Sequence, residues 1–333
     1  MKRVGNVMER ICNLENMHEA FLRAARGKTG KKEVQKFRLS LEERLQDIRN
    51  GLYDGSFEFG RYHFFSIYDP KPRMICAASF DERVAFHAIM RICHPVFDNY
   101  QIYDSYASRV GKGTYKALER SVEFCRKYKW FLKLDVCKYF DSIDHDVLFG
   151  HLCRLFKDKT LLYLFHDLID SYEKKEGKGL PIGNLTSQYF ANHYLALADH
   201  YSKEILRVRA MVRYMDDVLF FSNEKEELLL IRECYEFYLS EKLKLLLHEP
   251  VINTTKRGVP FLGYVVRPSG LRLNTASRCR LRRKQKTLGG QWYAGNISDD
   301  KYRQQMQSMY SFIDHADAMH FRKRIIQEQG LFP

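Results

Sequence analysis

Apolar residues recur at Val34, Phe37, Leu41, Leu45, Ile48 and Leu52, in steps of three and four. That spacing lines one stripe of a helix. It predicts amphipathic helices over residues 7–26 and 33–52, parted by Gly27 to Gly30 and ended between Gly51 and Gly60. Residues 62–76 alternate in the manner of strands around a Pro-Lys-Pro turn, and Phe80 to Cys93 reads as a helix closed by Pro95. Trp130 to Val136 (WFLKLDV) is dense enough in apolar residues for a short buried strand.

Further along, residues 145–171 read as helical, Gly177 to Gly183 as a flexible loop, and Ser187 to Val208 as a long helix. Val212 to Ser222 (VRYMDDVLFFS) predicts two strands meeting at a tight turn. Glu226 to Leu247 is helical, Val259 to Arg267 is a strand pair or a bent strand, and the pattern is helical from Ala276 onward. There is no internal repeat and no low-complexity stretch. The mixture is α+β, in a chain of 333 residues, long enough for two or three packed subdomains.

Composition adds a partner class. Hydrophobic residues make up 45% of the chain, which excludes a disordered protein, while the formal charge is +14. An excess of that size predicts attraction to a polyanion, because each neutralised phosphate releases counterions. Residues 271–290 hold seven basic residues and no acid: Arg272, Arg278, Arg280, Arg282, Arg283, Lys284 and Lys286. Residues 21–40 hold seven more against Glu33 alone. Two such clusters predict a groove gripped from both sides. The 21 Tyr and 23 Phe include rings able to stack on bases, although most belong to an ordinary core. The eight cysteines are scattered without a C-x-x-C, so neither zinc nor a disulfide framework is expected. No leader-like or membrane-spanning run is present, and a reduced, cytoplasmic setting without a membrane partner is the expectation.

The chemistry lies in two apolar segments that contain acids. Asp135 closes Leu132-Lys-Leu-Asp, and Asp216-Asp217 interrupt Tyr214-Met-Asp-Asp-Val-Leu-Phe-Phe. A carboxylate among hydrophobes pays desolvation unless something neutralises it. Magnesium does so well, being hard and oxygen-seeking. Two such ions about 3.5–4 Å apart can clamp the attacking and leaving oxygens of an in-line phosphoryl transfer. An Asp-Asp pair is common in solvated turns, and Asp299–Asp300 is read that way. Asp141, Asp144 and Asp146 are read as helix-start or surface charges.

These segments resemble the ordered motifs of reverse transcriptases over about residues 10 to 270. Asp69-Pro-Lys-Pro-Arg-Met-Ile-Cys resembles the fingers motif that holds the incoming triphosphate, so the resemblance gives Lys71 and Arg73 phosphate contacts. Tyr106-Ala-Ser-Arg-Val-Gly-Lys-Gly-Thr resembles the second fingers motif. Phe140, five residues after Asp135, stands where the family places a ring against the sugar; the other reading is a packed core aromatic. Gly179-Leu-Pro-Ile-Gly-Asn-Leu-Thr-Ser-Gln resembles the motif supporting the nascent base pair, in the form seen in diversity-generating retroelements. Intron-type relatives usually carry Pro-Gln-Gly and end Ser-Pro; here Ile182 replaces that Gln, and Ser187-Gln188 ends the motif. Asn253 to Tyr264 resembles the primer grip. His248-Glu-Pro-Val stands near where a general-acid lysine is often found; His248 is read as a solvent-facing strand end, and neither it nor Lys256 is assigned that role.

The resemblance implies a right-hand polymerase, with a ferredoxin-like antiparallel palm, α/β fingers and a small helical thumb. The expected divisions are a helical N-terminal extension 1–60, fingers 61–126, palm 127–150, a fingers–palm connection 151–178, palm 179–268 and a basic helical thumb 269–333. It implies two magnesium ions, with manganese as a substitute, on Asp135, Asp216, Asp217 and the Val136 carbonyl. Ile182, Gly183 and Gln188 would line the nucleotide pocket. Arg278, Arg280, Arg282, Arg283 and Lys284 would follow the duplex phosphates. Implied partners are template RNA, primer and cDNA, dNTPs, and a small basic accessory variability protein. Ile182 offers shape without a hydrogen bond, which predicts low-fidelity synthesis; the family adds misincorporation opposite template adenines. The alternatives are another bacterial reverse transcriptase (retron, defence or intron-derived), an RNA-synthesising polymerase, which Phe140 disfavours, and a catalytically idle nucleic-acid binder of the same fold.

Overall fold

A computed structural model describes residues 2–68, 72–319, 321 and 323. In chain order it begins with helices α1 (Met8–Ile11), α2 (Leu14–Ala25), α3 (Lys32–Leu39) and α4 (Leu41–Asp54). Strands β1 (Tyr62–Tyr68) and β2 (Pro72–Ala78) follow, then α5 (Phe80–Tyr100), α6 (Thr114–Lys127) and β3 (Trp130–Asp135). Next come α7 (Tyr139–Ser142), α8 (His145–Leu155), α9 (Lys159–Asp170) and α10 (Leu185–His200), the last running into a π turn at Tyr201–Ile205. The chain continues through β4 (Ala210–Tyr214), β5 (Asp217–Ser222), α11 (Lys225–Leu243) and β6 (Val251–Thr254). It closes with β7 (Val259–Phe261), β8 (Tyr264–Arg267), β9 (Gly270–Leu273), α12 (Thr275–Tyr293) and α13 (Asp299–Asp314). Two compact bodies result: Met1–Tyr103 with Val136–Leu206 and Cys234–His248, and Asp104–Asp135 with Arg207–Glu233 and Glu249–Pro333.

In the first body the predicted stripe of the early helices is the buried one: Val34, Phe37, Leu45, Ile48 and Leu52 are inside. Each of the two long predicted helices is split. Asn13 starts α2 by accepting the Glu15 N–H at 2.9 Å, a cap that a continuous helix would lack. Ser40, at φ −126°, parts α3 from α4, and Gly51 lies inside α4, whose end falls at Gly55 in the left-handed region. Asp158 divides the predicted 145–171 helix by capping α9 through Leu161 N–H, and its other oxygen accepts the Val7 N–H at 3.0 Å. Pro95 does not close α5 but sits within it. The buried neighbours Ile89, Met90, Cys93 and Phe97 outweigh its missing N–H.

Several buried polar groups in this body are held by named partners. Glu82 completes a capping box with Ser79 and also accepts Gly60 N–H (2.7 Å) and Arg61 N–H (3.1 Å). Asn16 bridges the Ile11 and Ala88 carbonyls. Asp144 is the cap of α8, as a helix-start acid should be, and its second oxygen meets Lys244 Nζ at 2.7 Å. Burial pushes that carboxyl up, but Lys244 and the Val147 N–H hold it below the usual range.

The second body contains a four-stranded sheet. Its order is β4-β5-β3-β6, all antiparallel. Following the chain as β3, β4, β5, β6, this is the strand order of a ferredoxin-like palm. Side chains alternate between faces. Phe131, Ala210, Val212, Leu219 and Phe221 join a core with Leu118 and Val122 of α6, Phe261, Tyr264 and Val266, and Leu281, Met306 and Ile313. A second sheet, β7-β8-β9, belongs to that core. It resolves residues 259–267 as a strand pair and adds β9, so the region from 269 is not purely helical as expected. Asp299–Asp300 form the first turn of α13 after the cap Ser298 rather than a separate turn, and both remain exposed. No described helix is long and apolar enough to cross a membrane.

Candidate active site

The end of the β3–β5 pair brings two of the three predicted acids together. Asp135 and Asp217 are register partners, which sets their Cβ atoms about 4.5–5.5 Å apart. β4 and β5 are joined by Met215 and Asp216 alone, with Tyr214 opposite Asp217. Met215 has φ +56°, in the region normally left to glycine. The expected tight turn is therefore present, and it carries backbone strain. Asp216 sits on it, half-buried like its neighbours.

Lys133, two residues before Asp135 on the same face, places Nζ 2.9 Å from Asp217 Oδ1; the two side chains are 21% and 24% exposed. The contact is an ion pair to a buried oxygen. Burial raises the Asp217 carboxyl above its ordinary range, Lys133 pulls it back, and Asp135 pushes it further up. Among the described residues no three His, Cys, Asp or Glu side chains are gathered into a complete metal set. The Asp135–Asp217 carboxylate pair nevertheless fits a hard divalent cation, whose charge would quench their mutual repulsion.

Lys133 was not singled out from the sequence, although the signal was the one that exposed the acids: a charge inside an apolar strand. Arg213, between Val212 and Tyr214, was missed in the same way. Lys133→Met is expected to lower the melting temperature of metal-free protein. The loss should fall below the roughly 3–5 kcal/mol typical of a broken buried pair, since both groups are partly solvated. Added magnesium should restore more stability to the variant than to wild type. Equal magnesium responses in differential scanning fluorimetry would show that Lys133 does not neutralise Asp217.

The predicted nucleotide-site residues fall in the first body, and two backbone hydrogen bonds tie their segments together. Leu180 N–H donates to the Phe140 carbonyl at 2.8 Å, and Cys76 N–H donates to the Ile182 carbonyl at 2.8 Å. The loop before α10 thus connects the Phe140 segment to β2, which carries exposed Arg73. Gly183 has φ +116°, and a Cβ there would lie 2.9 Å from Ile75 Cγ2 and 3.4 Å from the Cys76 carbonyl oxygen. Only glycine admits that approach. Phe140 is half-buried, not fully packed, and Gln188 is exposed on the first turn of α10. Val136 is bridged to Leu247. Lys71 lies outside the described residues.

On α12 the buried stripe is Ser277, Leu281, Gln285 and Leu288. Arg278, Arg283 and Lys284 are exposed, and Arg280 and Arg282 are half-buried. His248 and Lys256 are both exposed.

Paired strand-end carboxylates beside a two-residue hairpin, on a ferredoxin-like sheet, define the palm of a nucleotidyltransferase. The chain matches the model of the reverse transcriptase (RNA-dependent DNA polymerase) family over residues 68–266, more than half its length. It belongs to that family. Reverse transcriptases generally use divalent metal ions. The chain is 24% identical over 173 residues to the COX1/OXI3 intron 1 protein of Saccharomyces cerevisiae, covering 49% of this chain and 21% of that protein. Against the corresponding intron 2 protein it is 25% identical over 127 residues, covering 36% and 15%. It therefore spans about a fifth or less of the curated relatives it matches. Among solved structures, Candida tropicalis telomerase in complex with a fragment of telomeric RNA aligns with TM-score 0.50 and 12% identity, over 82% of this chain and 55% of that one. Candida albicans telomerase with such a fragment aligns at 0.48 and 13%, over 70% and 52%. The first likeness supports the right-hand polymerase fold.

Proposed function

We propose that the chain copies an RNA template into DNA, with Asp135, Asp216 and Asp217 as its metal-binding acids, aided by the Val136 carbonyl. The observation that carries this reading is the cross-strand Asp135–Asp217 pair beside the Met215–Asp216 turn, inside a reverse transcriptase domain. Two magnesium ions bound there would activate a primer 3′-hydroxyl and neutralise departing pyrophosphate. Arg73, with Lys71, holds the triphosphate by charge and planar donors. Phe140, not fully packed, leaves ring surface to meet a ribose 2′-hydroxyl and so favours dNTPs. Ile182, Gly183 and Gln188 line the nucleotide pocket, where close backbone approach at Gly183 fixes the loop against β2. The exposed cations of α12 (Arg278, Arg283, Lys284), with Arg280 and Arg282, track duplex phosphates and give position rather than sequence. In this reading the fingers are residues 61–126, the palm 127–150 and 179–268, and the thumb 269–333, now with β9 at its base.

The finer reading is a diversity-generating retroelement enzyme, error-prone through Ile182 and working with its own template RNA and a small basic accessory protein. It rests on the Leu-Pro-Ile-Gly and Ser187-Gln188 sequence. The yeast intron proteins favour a second reading, an intron-type enzyme. Sequencing the cDNA made on a defined RNA template separates them. Errors concentrated at template adenines, and reduced by Ile182→Gln, support diversification. Uniformly accurate copying that is unaffected by Ile182→Gln removes it and leaves the intron-type reading.

A further inference from the structure

Arg213 is the largest fully buried side chain among the described residues. A guanidinium cannot shed its charge, so burying one on a strand beside Met211 and Val212 costs more than an apolar residue would. It must therefore be held by polar groups, and one of them lies at the metal turn. Its Nη1 donates to the Met215 carbonyl oxygen at 3.1 Å. That carbonyl belongs to the peptide joining Met215 to Asp216, so the hydrogen bond fixes the rotation of that peptide. Met215 is the residue with φ +56°, a conformation that persists only where surrounding contacts impose it.

The base of the clamp is itself anchored. Arg213 N–H donates to the Asp104 carbonyl at 2.9 Å, and Tyr106 N–H donates to the Arg213 carbonyl at 2.9 Å. The free edge of β4 is thereby stitched to residues 104–106. The Asp104 carboxylate is held in turn by Arg120 Nε at 3.0 Å and the Tyr106 hydroxyl at 3.2 Å. On the other face of β4, Thr114 Oγ1 donates to the Tyr214 hydroxyl at 3.1 Å.

We infer that Arg213 is a positioning residue whose buried guanidinium, through the Met215 carbonyl, holds the Met215–Asp216 turn in its strained form and so aims Asp216 and Asp217. The link to metal rests on the function proposed above; the link to turn geometry does not. Arg213 touches no substrate and takes no part in bond making.

The test uses the full chain without metal. Hydrogen exchange is followed by mass spectrometry in peptides spanning residues 210–222, and manganese affinity is measured separately by electron paramagnetic resonance. Arg213→Met is expected to speed exchange at the turn amides at least about tenfold and to weaken manganese binding by about tenfold. Met215→Gly accepts the positive φ without strain, so the same Arg213→Met change in that background should cost less than about threefold. Arg213→Lys keeps the charge but loses the planar fork, and should loosen the turn measurably. Should Arg213→Met not fold, Arg213→Lys carries the test. Phe261→Leu weakens the same body without touching the turn, and should leave both readouts alone.

Wild-type exchange at the turn in folded Arg213→Met or Arg213→Lys would overturn the inference. So would equal loosening by Phe261→Leu, or an undiminished effect in the Met215→Gly background. Wild type failing to bind manganese would count against the metal reading instead, since the exchange measurement is made without metal.

Discussion

Replacing Asp217 with Asn is expected to abolish primer extension, by at least about a thousandfold, while raising the melting temperature of the metal-free protein. The two effects move in opposite directions because one group serves both. In the folded chain the Asp217 carboxyl is driven above its ordinary range by burial and by Asp135, despite Lys133. The charged form is thus worse off folded than unfolded, and a neutral amide of the same shape relieves that cost. Lys133 is partly exposed and can turn to water when its partner is neutralised. The amide would be a poor ligand for a hard cation, which prefers carboxylate oxygen, so magnesium should no longer stabilise the variant. Thermal melts with and without magnesium, run beside the extension assay, check all three points. A metal-free melting temperature falling as far as for a ruptured buried pair, about 3–5 kcal/mol, would mean that Asp217 is structural.

Gly183→Ala is expected to give the second large effect, on nucleotide use and on stability together. Holding an alanine at φ +116° costs about 1–3 kcal/mol, and forcing a Cβ to within 2.9 Å of Ile75 Cγ2 adds about 1–3 kcal/mol of overpacking. Relief by outward movement of the loop would break the Cys76–Ile182 hydrogen bond and separate Ile182 from the strand that carries Arg73. The dNTP KM should rise more than kcat falls. Ile75→Ala removes the Cγ2 methyl, so adding it should recover the packing share of the loss but not the conformational share. A double-mutant cycle on melting temperature and KM reads that coupling. An unchanged KM in Gly183→Ala would show that the loop does not shape the nucleotide site.

Much of this arrangement is legible in the chain because it depends on local pattern. The β1–β2 hairpin, the WFLKLD strand and the Tyr-Met-Asp-Asp turn are marked by alternation, by apolar density and by charges in places where strands rarely hold them. Asp144 is readable as a helix start because capping is a property of a few adjacent residues. Pro95 misleads because its tolerance depends on Phe97 and Cys93 being buried by distant segments. The splits at Asn13, Ser40 and Asp158 are hidden since an apolar stripe continues across each break, and Asp158 also serves Val7, 151 positions away. β9 escapes because Gly270–Leu273 is too short to show a period. At the site, the acids stand out while Lys133 and Arg213 do not. A basic residue in a basic protein draws attention only once its burial and its partner are known.

The central claim is RNA-templated DNA synthesis at the Asp135–Asp216–Asp217 centre. Its most direct test is extension of a DNA primer on an RNA template with dNTPs and magnesium, comparing wild type with Asp216→Asn. The account predicts template-length DNA from wild type, loss of product on chelation, and none from a folded Asp216→Asn variant. Equal extension by the variant, or none from folded wild type with candidate RNA and accessory protein supplied, would contradict it.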